Sequence, residues 1–372
     1  MISVFGSMVG DEEIEKVAAC IRSQWMGFGK EVDLFEKRFS EKFGIPNFAM
    51  VDSGSNALYM AVKLLELPPH SEIILPSFTW VSCAQAILLC NHIPVFCDVD
   101  SRTMNIRRED IEQFVTNKTA AVMVVHYGGL AVDMDPIIEL GFPIIEDAAH
   151  AVCSTYKGKP CGTISDIGIF SFDAIKNLTT GEGGGITARN SGLIERAKIL
   201  RYCGIGKSGF DSASTSAGGK ARWWEYNIQE AFIKMLPTNI AASIGLAQLG
   251  KIEDLQARRK RIWDIYQTEF KNLEHIVTPI EAPEGDSHSY FTYCIRVPQR
   301  DELAHYLFDA GIYTTLRYHP LHLNHLYKQM DKNLPNCQIL NEDALSIPIH
   351  PRLTDSELDY IIGKIKSFYL RK

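Results

Sequence analysis

The feature that most constrains the fold is a series of short apolar runs between residues 46 and 190. The runs are rich in β-branched residues and lack the polar alternation that marks a half-buried strand. Such strands are buried on both faces, as in a mostly parallel sheet between layers of helices. They lie at 72–75, 93–99, 120–125, 142–147, 167–172 and 184–188. Helical stretches or turns separate them, so we predict an α/β fold of the doubly wound type, in which ligands bind at the carboxyl ends of strands.

The segments on either side of this region are predicted to be helical. Amphipathic helices are expected at 11–22 and 31–43, and Gly44 ends the second. A long helix is expected at about 237–273, with Pro237 at its first position. The order of these elements is typical of an α/β protein.

Beyond about residue 275 the pattern changes. A strand is expected at 289–297, a helix at 300–311, and a final helix that begins with a capping box formed by Thr354 and Glu357. The loop 204–222 is the one insertion with a flexible composition. The predicted domains are a large one at 1–250, with the N-terminal helices, and 251–372, with most of the long helix and a small α+β domain.

Composition and charge exclude several classes of function. The chain has 372 residues, 46% of them hydrophobic and 22% charged, and a net charge of −7 without a basic stripe, so we expect no nucleic-acid partner. No apolar run reaches about 18 residues and the N-terminus lacks a basic and an apolar region, so we expect no membrane span and no signal peptide. The nine scattered cysteines form no C-x-x-C motif and are typical of reduced thiols in a cytoplasmic protein.

A short polar turn precedes a predicted helix at residues 53–56. Backbone N–H groups at a helix N-terminus have no partner within the helix, and hydroxyl groups stand beside them here. Ser53, Gly54, Ser55 and Asn56 are therefore candidates to hold a phosphate. The alternative is an ordinary N-cap, since serine and asparagine are common there for local reasons.

Charged side chains occur at the ends of two later strands. Glu146 and Asp147 end one of them, and a buried carboxylate needs a partner such as a protonated ring nitrogen, a salt bridge or a helix cap. Lys176 follows the next strand. Burial there would lower the pKa of its amine and make it a nucleophile toward carbonyls, whereas a surface lysine would stay charged.

Taken together, a phosphate site, an acid and a lysine are the groups that pyridoxal 5′-phosphate (PLP) requires. Asp147 would keep the pyridine nitrogen protonated, while Lys176 would bond the aldehyde as an imine and then transfer the proton. Ser171, five residues before the lysine, adds a hydroxyl for the phosphate, and Trp80 offers a flat face for stacking.

Eight stretches follow one another in the order and spacing of a known family. Over nearly its whole length the chain resembles the DegT/DnrJ/EryC1/StrS family of PLP-dependent nucleotide-sugar aminotransferases, which have the fold-type I architecture. The stretches are SGSNALYMAV, EIILPSFTWVSCAQAILLCNHIPVFCDVD, TAAVMVVHYGG, IIEDAAHA, STYKGKPCGTISDIGIFSF, KNLTTGEGGGITA, IAASIGLAQL and LSIPIHPRLTDSEL.

The resemblance implies roles for seven residues around the cofactor. It implies that Ser55, Asn56 and Ser171 contact the phosphate, Trp80 stacks on the ring, Asp147 binds the pyridine nitrogen, His150 lies near the ring oxygen and Lys176 forms the imine. Two departures stand out. His150 replaces the glutamine of many relatives and adds a titratable group, and Asp173 replaces a histidine or tyrosine, which alters the substrate pocket.

The segment that contains Arg317 lies near the sugar-binding cleft in relatives. Arg317, Tyr318 and His319 are therefore candidate substrate contacts. Three histidines, His319, His322 and His325, recur here at a spacing of three. A proline lies among them and no carboxylate or cysteine joins them at ligand spacing, so we expect no metal site.

The resemblance also implies a homodimer with shared active sites. In relatives a GYxYxM segment of the neighbouring subunit reaches the cofactor phosphate. Here FIKMLPT stands in that place, with Leu236 where a polar residue is usual. We expect Lys234 to make the replacement contact.

The predicted function is amino transfer from L-glutamate to a keto-sugar nucleotide, with ping-pong kinetics. The similarity to members that act on 4-keto-6-deoxy sugars favours a dTDP-4-keto-6-deoxyhexose, which gives the 4-amino-4,6-dideoxy sugar for deoxyamino sugar or polysaccharide biosynthesis. The alternatives are 3-keto amination, a sugar dehydratase of the same family, a PLP-binding sensor and a PLP enzyme with another substrate. Lys176 argues against the dehydratase, which has histidine in that place, and the missing basic N-terminal module argues against the sensor.

Overall fold

The computed structural model describes residues 1–206, 224, 226–330 and 333–370. Most of the predicted loop at 204–222 lies outside the described residues. Among those residues, no helix is both long enough and apolar enough to cross a membrane. The cytoplasmic location stays a prediction.

A seven-stranded sheet forms the centre of the molecule, with the strand order β1-β9-β8-β5-β4-β2-β3. Only β9 runs against its neighbours, and every other pair within the sheet is parallel. Two short two-stranded sheets, β6-β7 and β10-β11, complete the strands of the described residues. The strands are β1 Phe48–Val51, β2 Glu72–Pro76, β3 Ile93–Cys97, β4 Thr119–Val125, β5 Ile144–Asp147, β6 Thr155–Tyr156, β7 Lys159–Pro160, β8 Ile167–Ser171, β9 Gly184–Ala188, β10 Tyr293–Arg296 and β11 Ala344–Ile347.

Helices cover both faces of the sheet and build most of the C-terminal part. The α-helices span Asp11–Arg22, Lys30–Phe43, Gly54–Leu64, Val81–Leu89, Arg108–Glu112, Met134–Ile138, Ser191–Leu200, Asn239–Gly250, Ile252–Phe270, Arg300–Asp309, Pro335–Asp343 and Asp355–Leu370. Short 3-10 helices lie at Tyr127–Gly129, Leu321–Leu323 and His325–Met330. This architecture agrees with the predicted α/β class.

The strands of the sheet are buried on both faces because alternate residues enter two different cores. Ile73 and Leu75 of β2 pack into one core, and Ile74 between them packs into the other. A third core is built almost wholly from residues 262–368, around the fully buried Trp263 and Tyr266. The separate third core agrees with a small C-terminal domain, although residues such as Leu321 and Leu340 pack into the first core. The boundary between 250 and 251 stays a prediction.

Local signals predicted several helix ends but not the break in the long helix. Gly44 ends the second helix in the left-handed conformation, at φ 63°. The predicted helix 237–273 is two helices that meet at Lys251, because Gly250 has low helix propensity and Lys251 leaves the helical conformation. Pro237 is not the first residue of this pair of helices. The first helix begins at Asn239 after the N-cap Thr238, whose hydroxyl accepts the N–H of Ala241 at 3.1 Å.

The predicted strand 289–297 is also shorter in the structure. Only Tyr293–Arg296 pairs as a strand. The residues before it turn toward the large sheet, where the N–H of Phe291 donates to the carbonyl of Gly128 at 3.0 Å. This connection brings the Phe291 ring to the edge of the sheet where the candidate site lies.

Candidate active site

A cleft lies at the carboxyl edge of the central sheet. The neighbouring parallel strands β5 and β8 end there at Asp147 and Ser171, and both side chains line the cleft. Lys176 follows β8 through a short turn and also lines it. The sheet thus brings together groups that are far apart in the chain, as expected for a ligand site in a doubly wound fold.

The N-terminus of helix Gly54–Leu64 forms one wall. Ser53 is the N-cap, and its hydroxyl accepts the N–H of Asn56 at 3.2 Å. A Cβ at Gly54 would lie only 2.7 Å from the Cβ of Ser171, so the helix can approach β8 this closely only with glycine at that position. The hydroxyl of Ser55 lies 2.7 Å from that of Ser82. Helix N–H groups and the hydroxyls of these four serines therefore meet at one end of the cleft, which suits a phosphate.

Asp147 and Glu146 have different environments although they are adjacent. Glu146 is fully buried and accepts hydrogen bonds from the N–H groups of Gly162 at 2.7 Å and Ser165 at 2.6 Å, and from His126 at 3.0 Å. Burial raises the pKa of Glu146, but the bond and charge of His126 and the two N–H groups outweigh it, so the pKa is lowered overall. Glu146 is thus a satisfied structural carboxylate that ties β5 to the loop before β8.

The carboxylate of Asp147 faces the cleft. Its Oδ1 accepts the N–H of Ala149 at 2.9 Å, and its Oδ2 accepts the thiol of Cys83 at 3.2 Å. Each oxygen keeps a further lone pair. A buried carboxylate held in this way can accept a hydrogen bond from a protonated ring nitrogen in the cleft.

The amine of Lys176 is buried with only 8% of the residue exposed. Its Nζ lies 4.7 Å from the centroid of the Phe291 ring. Burial, and then the charge of Arg317, lower the pKa of Lys176 to about 7, although Asp147 and Asp173 act in the opposite direction. Near neutral pH a large share of this amine is uncharged, and it can therefore attack a carbonyl.

His150 lies beside the lysine as a neutral ring. Its Nδ1 accepts the N–H of Gly128 at 3.3 Å, so the Nε2 carries the proton and faces the hydroxyl of Tyr318 at 3.0 Å. Burial, followed by the charges of Lys176 and Arg317, lowers the pKa of His150 well below its usual value. Burial thus favours a neutral ring, and the placement of His150 near the ring oxygen stays a prediction.

Aromatic side chains form the outer wall. Trp80 is 50% exposed, lines the cleft and lies 5.6 Å from the Tyr318 ring, at an interplanar angle of 45°. Arg317 also lines the cleft, and its guanidinium carbon lies 4.9 Å from the Phe291 centroid. The Nε and Nη1 atoms of Arg317 are buried without a hydrogen-bond partner among the described residues.

Three predicted site residues do not line the cleft. The amide of Asn56 donates instead to Asp52 at 2.8 Å, and the exposed ring of His319 lies 2.8 Å from the amide oxygen of Asn341. Lys234 is exposed on the surface, next to Tyr202 in an isolated bridge. The roles of these residues, and those of the residues that do line the cleft, stay predictions.

The structure adds residues that the sequence did not indicate. These residues are Ser82, Phe291 and Glu182. Ser82 and Phe291 lie in apolar stretches that fit ordinary secondary structure, and Glu182 lies within a glycine cluster. Glu182 and Asp173 both line the cleft, and burial and then the charge of Asp173 raise the pKa of Glu182. Within the described ranges no group of three or more histidine, cysteine or acidic side chains is placed to bind a metal.

Comparison with known proteins identifies the fold and the chemistry together. Residues 7–366 match the DegT/DnrJ/EryC1/StrS aminotransferase family. The chain belongs to this family. It is therefore a PLP-dependent sugar aminotransferase, and the predicted family, fold, enzyme class and cofactor are confirmed.

Individual relatives cover nearly the whole chain. The chain is 35% identical to a dTDP-4-dehydro-2,3,6-trideoxy-D-glucose 4-aminotransferase of Saccharopolyspora spinosa, over 96% of this chain and 94% of the relative. It is 31% identical to a GDP-perosamine synthase of Caulobacter vibrioides, over 98% of this chain and 97% of the relative. A Streptococcus pneumoniae protein solved in its PMP form is 30% identical, with a TM-score of 0.92 over 99% of this chain and 98% of that one.

Proposed function

We propose that the enzyme transfers the amino group of L-glutamate to a dTDP-4-keto-6-deoxyhexose and forms the 4-amino-4,6-dideoxy sugar nucleotide. The observation that carries the amino-transfer chemistry is the buried amine of Lys176, with its pKa lowered to about 7, in the same cleft as the Asp147 carboxylate. The choice of sugar is supported by the Saccharopolyspora spinosa relative, which acts at C4 of a dTDP-linked keto-sugar.

The described residues fit the cofactor. A phosphate would be held by the hydroxyls of Ser55 and Ser171 and by the first N–H groups of the helix that begins at Gly54. The ring would lie between these groups and Lys176, with its nitrogen on Asp147. The close approach of Gly54 to Ser171 brings the N-terminus of the helix next to the Ser171 hydroxyl, so that both can bind one phosphate.

The protein side chains divide the chemistry between them. Bound PLP supplies an aldehyde that bonds amines and a ring that accepts electrons. Lys176 would hold the aldehyde end of the cofactor, and its amine would accept and return the proton that amino transfer requires. Asp147 would accept a hydrogen bond from the protonated pyridine nitrogen, and Trp80 would stack on one face of the ring. The neutral His150 would donate from Nε2 to the ring oxygen.

Arg317 is the proposed anchor for an anionic group of the substrate. Its guanidinium carbon and the Nζ of Lys176 lie 4.9 and 4.7 Å from the centroid of the same Phe291 ring, and the charge of Arg317 lowers the pKa of the Lys176 amine. In an amino acid the α-carboxylate is separated from the reacting nitrogen by a single carbon. The carboxylate of glutamate therefore fits this cation, and Tyr318 and His319 remain the candidate contacts to the sugar.

A different sugar nucleotide is the main alternative. The Caulobacter vibrioides relative is a GDP-perosamine synthase, which favours a GDP-linked substrate as the second candidate. Amination at C3 is the remaining alternative within the same chemistry.

A product assay separates these substrates. In it, dTDP-, UDP- and GDP-linked 4-keto and 3-keto sugars are each incubated with glutamate and holoenzyme. We expect the dTDP-linked 4-keto-6-deoxy sugar to have the highest kcat/KM, and a faster reaction of a 3-keto or GDP-linked sugar would contradict the proposed substrate.

We further propose that the enzyme is a homodimer. Five large apolar side chains between residues 202 and 233 are 45–61% exposed, and isolated bridges that pair Tyr202 with Lys234 and Ile205 with Ile228 bring parts of this segment together. They are Tyr202, Trp224, Tyr226, Ile228 and Ile233. An exposed apolar patch of this kind typically marks an interface, and a two-fold axis would give two equivalent sites.

Hybrid dimers test whether Lys234 completes the neighbouring site. Lys176→Ala and Lys234→Glu chains, each inactive alone, are refolded together. We expect activity to return to about a quarter of the wild-type value, because half of the dimers are hybrids with one intact site each. The exposed Lys271 provides the control, since Lys271→Glu should stay active. No recovery, or a monomer by light scattering, would contradict the shared site.

A further inference from the structure

The first six residues form an arm that is fixed to the C-terminal part of the chain. The N–H of Ile2 donates to the carbonyl of Gly311 at 2.7 Å, and the N–H of Tyr313 donates to the carbonyl of Ile2 at 2.9 Å. The N–H of Ile349 donates to the carbonyl of Val4 at 3.2 Å, and Val4 is buried. These bonds on both sides of the arm hold its backbone in one position.

The arm ends beside the cleft, where Phe5 contacts Arg317. The guanidinium carbon of Arg317 lies 4.0 Å from the Phe5 centroid, which is closer than its 4.9 Å to Phe291. The Phe5 and Phe291 rings are stacked, with centroids 5.8 Å apart and an interplanar angle of 8°. The guanidinium is therefore held against two parallel rings, and the same Phe291 ring contacts Lys176.

Arg317 also contacts Tyr318, through a side-chain hydrogen bond and with its guanidinium carbon 5.2 Å from the ring centroid. Its Nε and Nη1 have no hydrogen-bond partner among the described residues. A free arginine side chain has many rotamers, and binding an anion would require it to lose that freedom. Stacking on aromatic faces fixes the plane of the guanidinium while leaving its N–H groups for a ligand.

We propose that the N-terminal arm belongs to the substrate site, and that Phe5 is a positioning residue that orients Arg317 toward the carboxylate of the amino donor. This inference rests on the proposed role of Arg317. Phe5 does not line the cleft and touches neither the cofactor site nor the reacting atoms. Its loss should therefore weaken carboxylate binding and leave cofactor binding unchanged.

The test uses glutarate, which has the two carboxylates of glutamate but no amine to react. Calorimetry measures the Kd of glutarate for the PLP-loaded wild type and for Phe5→Leu, which keeps an apolar side chain but removes the ring. We expect the Kd to rise about three- to tenfold, the effect of losing one cation–π contact. The KM for glutamate should rise by a similar factor, while the Kd of PLP and the melting temperature stay unchanged.

Two further variants make the result specific. Phe5→Tyr keeps the ring and should retain wild-type glutarate affinity. Phe308→Leu removes an exposed phenylalanine of the same C-terminal region, which is 51% exposed, and should have no effect. If Phe5→Leu leaves the glutarate Kd unchanged, or lowers PLP affinity and melting temperature along with it, the positioning role is wrong.

Arg317→Gln separates this inference from the proposed function. If Arg317→Gln leaves the glutarate Kd unchanged, the proposed role of Arg317 fails and the inference fails with it. If Arg317→Gln weakens binding and Phe5→Leu does not, only the role of Phe5 fails. In the Arg317→Gln background, Phe5→Leu should have no additional effect, because the group it orients is absent.

Discussion

Replacing Lys176 with alanine will abolish amino transfer while the protein still folds. The lysine supplies the amine that bonds the cofactor aldehyde and then moves the proton, and no other described amine lines the cleft. Loss of a positioned acid–base and nucleophilic group costs about 10³-fold or more in kcat. The measurement is the formation of aminated sugar nucleotide, together with the cofactor absorbance band that depends on the covalent bond.

Two control variants accompany this prediction. Lys176→Met keeps most of the side-chain volume and should be equally inactive, which excludes a cavity as the cause. Lys198→Ala removes a lysine that pairs with Glu195 on the surface and should retain activity. Turnover above about 1% of wild type in Lys176→Ala would show that another group performs the proton transfer.

The second large effect is expected for Asp147→Asn. The amide can still accept the N–H of Ala149, so the local backbone should be preserved. It has no negative charge to hold the proton on the pyridine nitrogen, and we expect kcat to fall about 10²- to 10³-fold. PLP should also bind more weakly, which equilibrium dialysis of the cofactor measures.

Asp135 provides the matched control for this substitution. Its carboxylate is exposed and pairs with Lys157 on the surface, so Asp135→Asn should change neither kcat nor PLP affinity. If Asp147→Asn keeps near wild-type kcat, the carboxylate is structural and the nitrogen partner lies elsewhere. A fall in melting temperature that accounts for the lost activity would lead to the same conclusion.

The central sheet could be predicted because burial on both faces leaves a local signal. The predicted runs lack the polar alternation that marks a solvent face, and six of the seven strands of the sheet match them except at their ends. The edge strand β1, Phe48–Val51, was not predicted. The break at Lys251 could not be predicted, because an apolar helical pattern continues across it. The shortened strand before Tyr293 depends on hydrogen bonds to Gly128, which are distant in sequence.

In the candidate site, too, some residues have a local sequence signal and others depend on contacts distant in the chain. Asp147, Ser171 and Lys176 could be proposed from the sequence because they lie at strand ends, where a doubly wound fold places its ligands. The surroundings of Arg317 could not, since Phe5 and Phe291 come from segments distant in the chain and read individually as ordinary apolar residues. Contacts from a partner subunit, such as that expected of Lys234, likewise depend on an assembly that the sequence of one chain does not specify.

The most direct test of amino transfer from glutamate to a keto-sugar nucleotide follows the two half-reactions separately. PLP-loaded enzyme receives L-glutamate alone, and after removal of the small molecules it receives the dTDP-linked 4-keto-6-deoxy sugar, while absorbance is recorded. We predict that glutamate converts the cofactor to its PMP form with one 2-oxoglutarate released per site, and that the sugar restores the PLP spectrum with one amino sugar formed per site. A cofactor spectrum that does not respond to glutamate, or that no keto-sugar nucleotide restores, would contradict the proposed function.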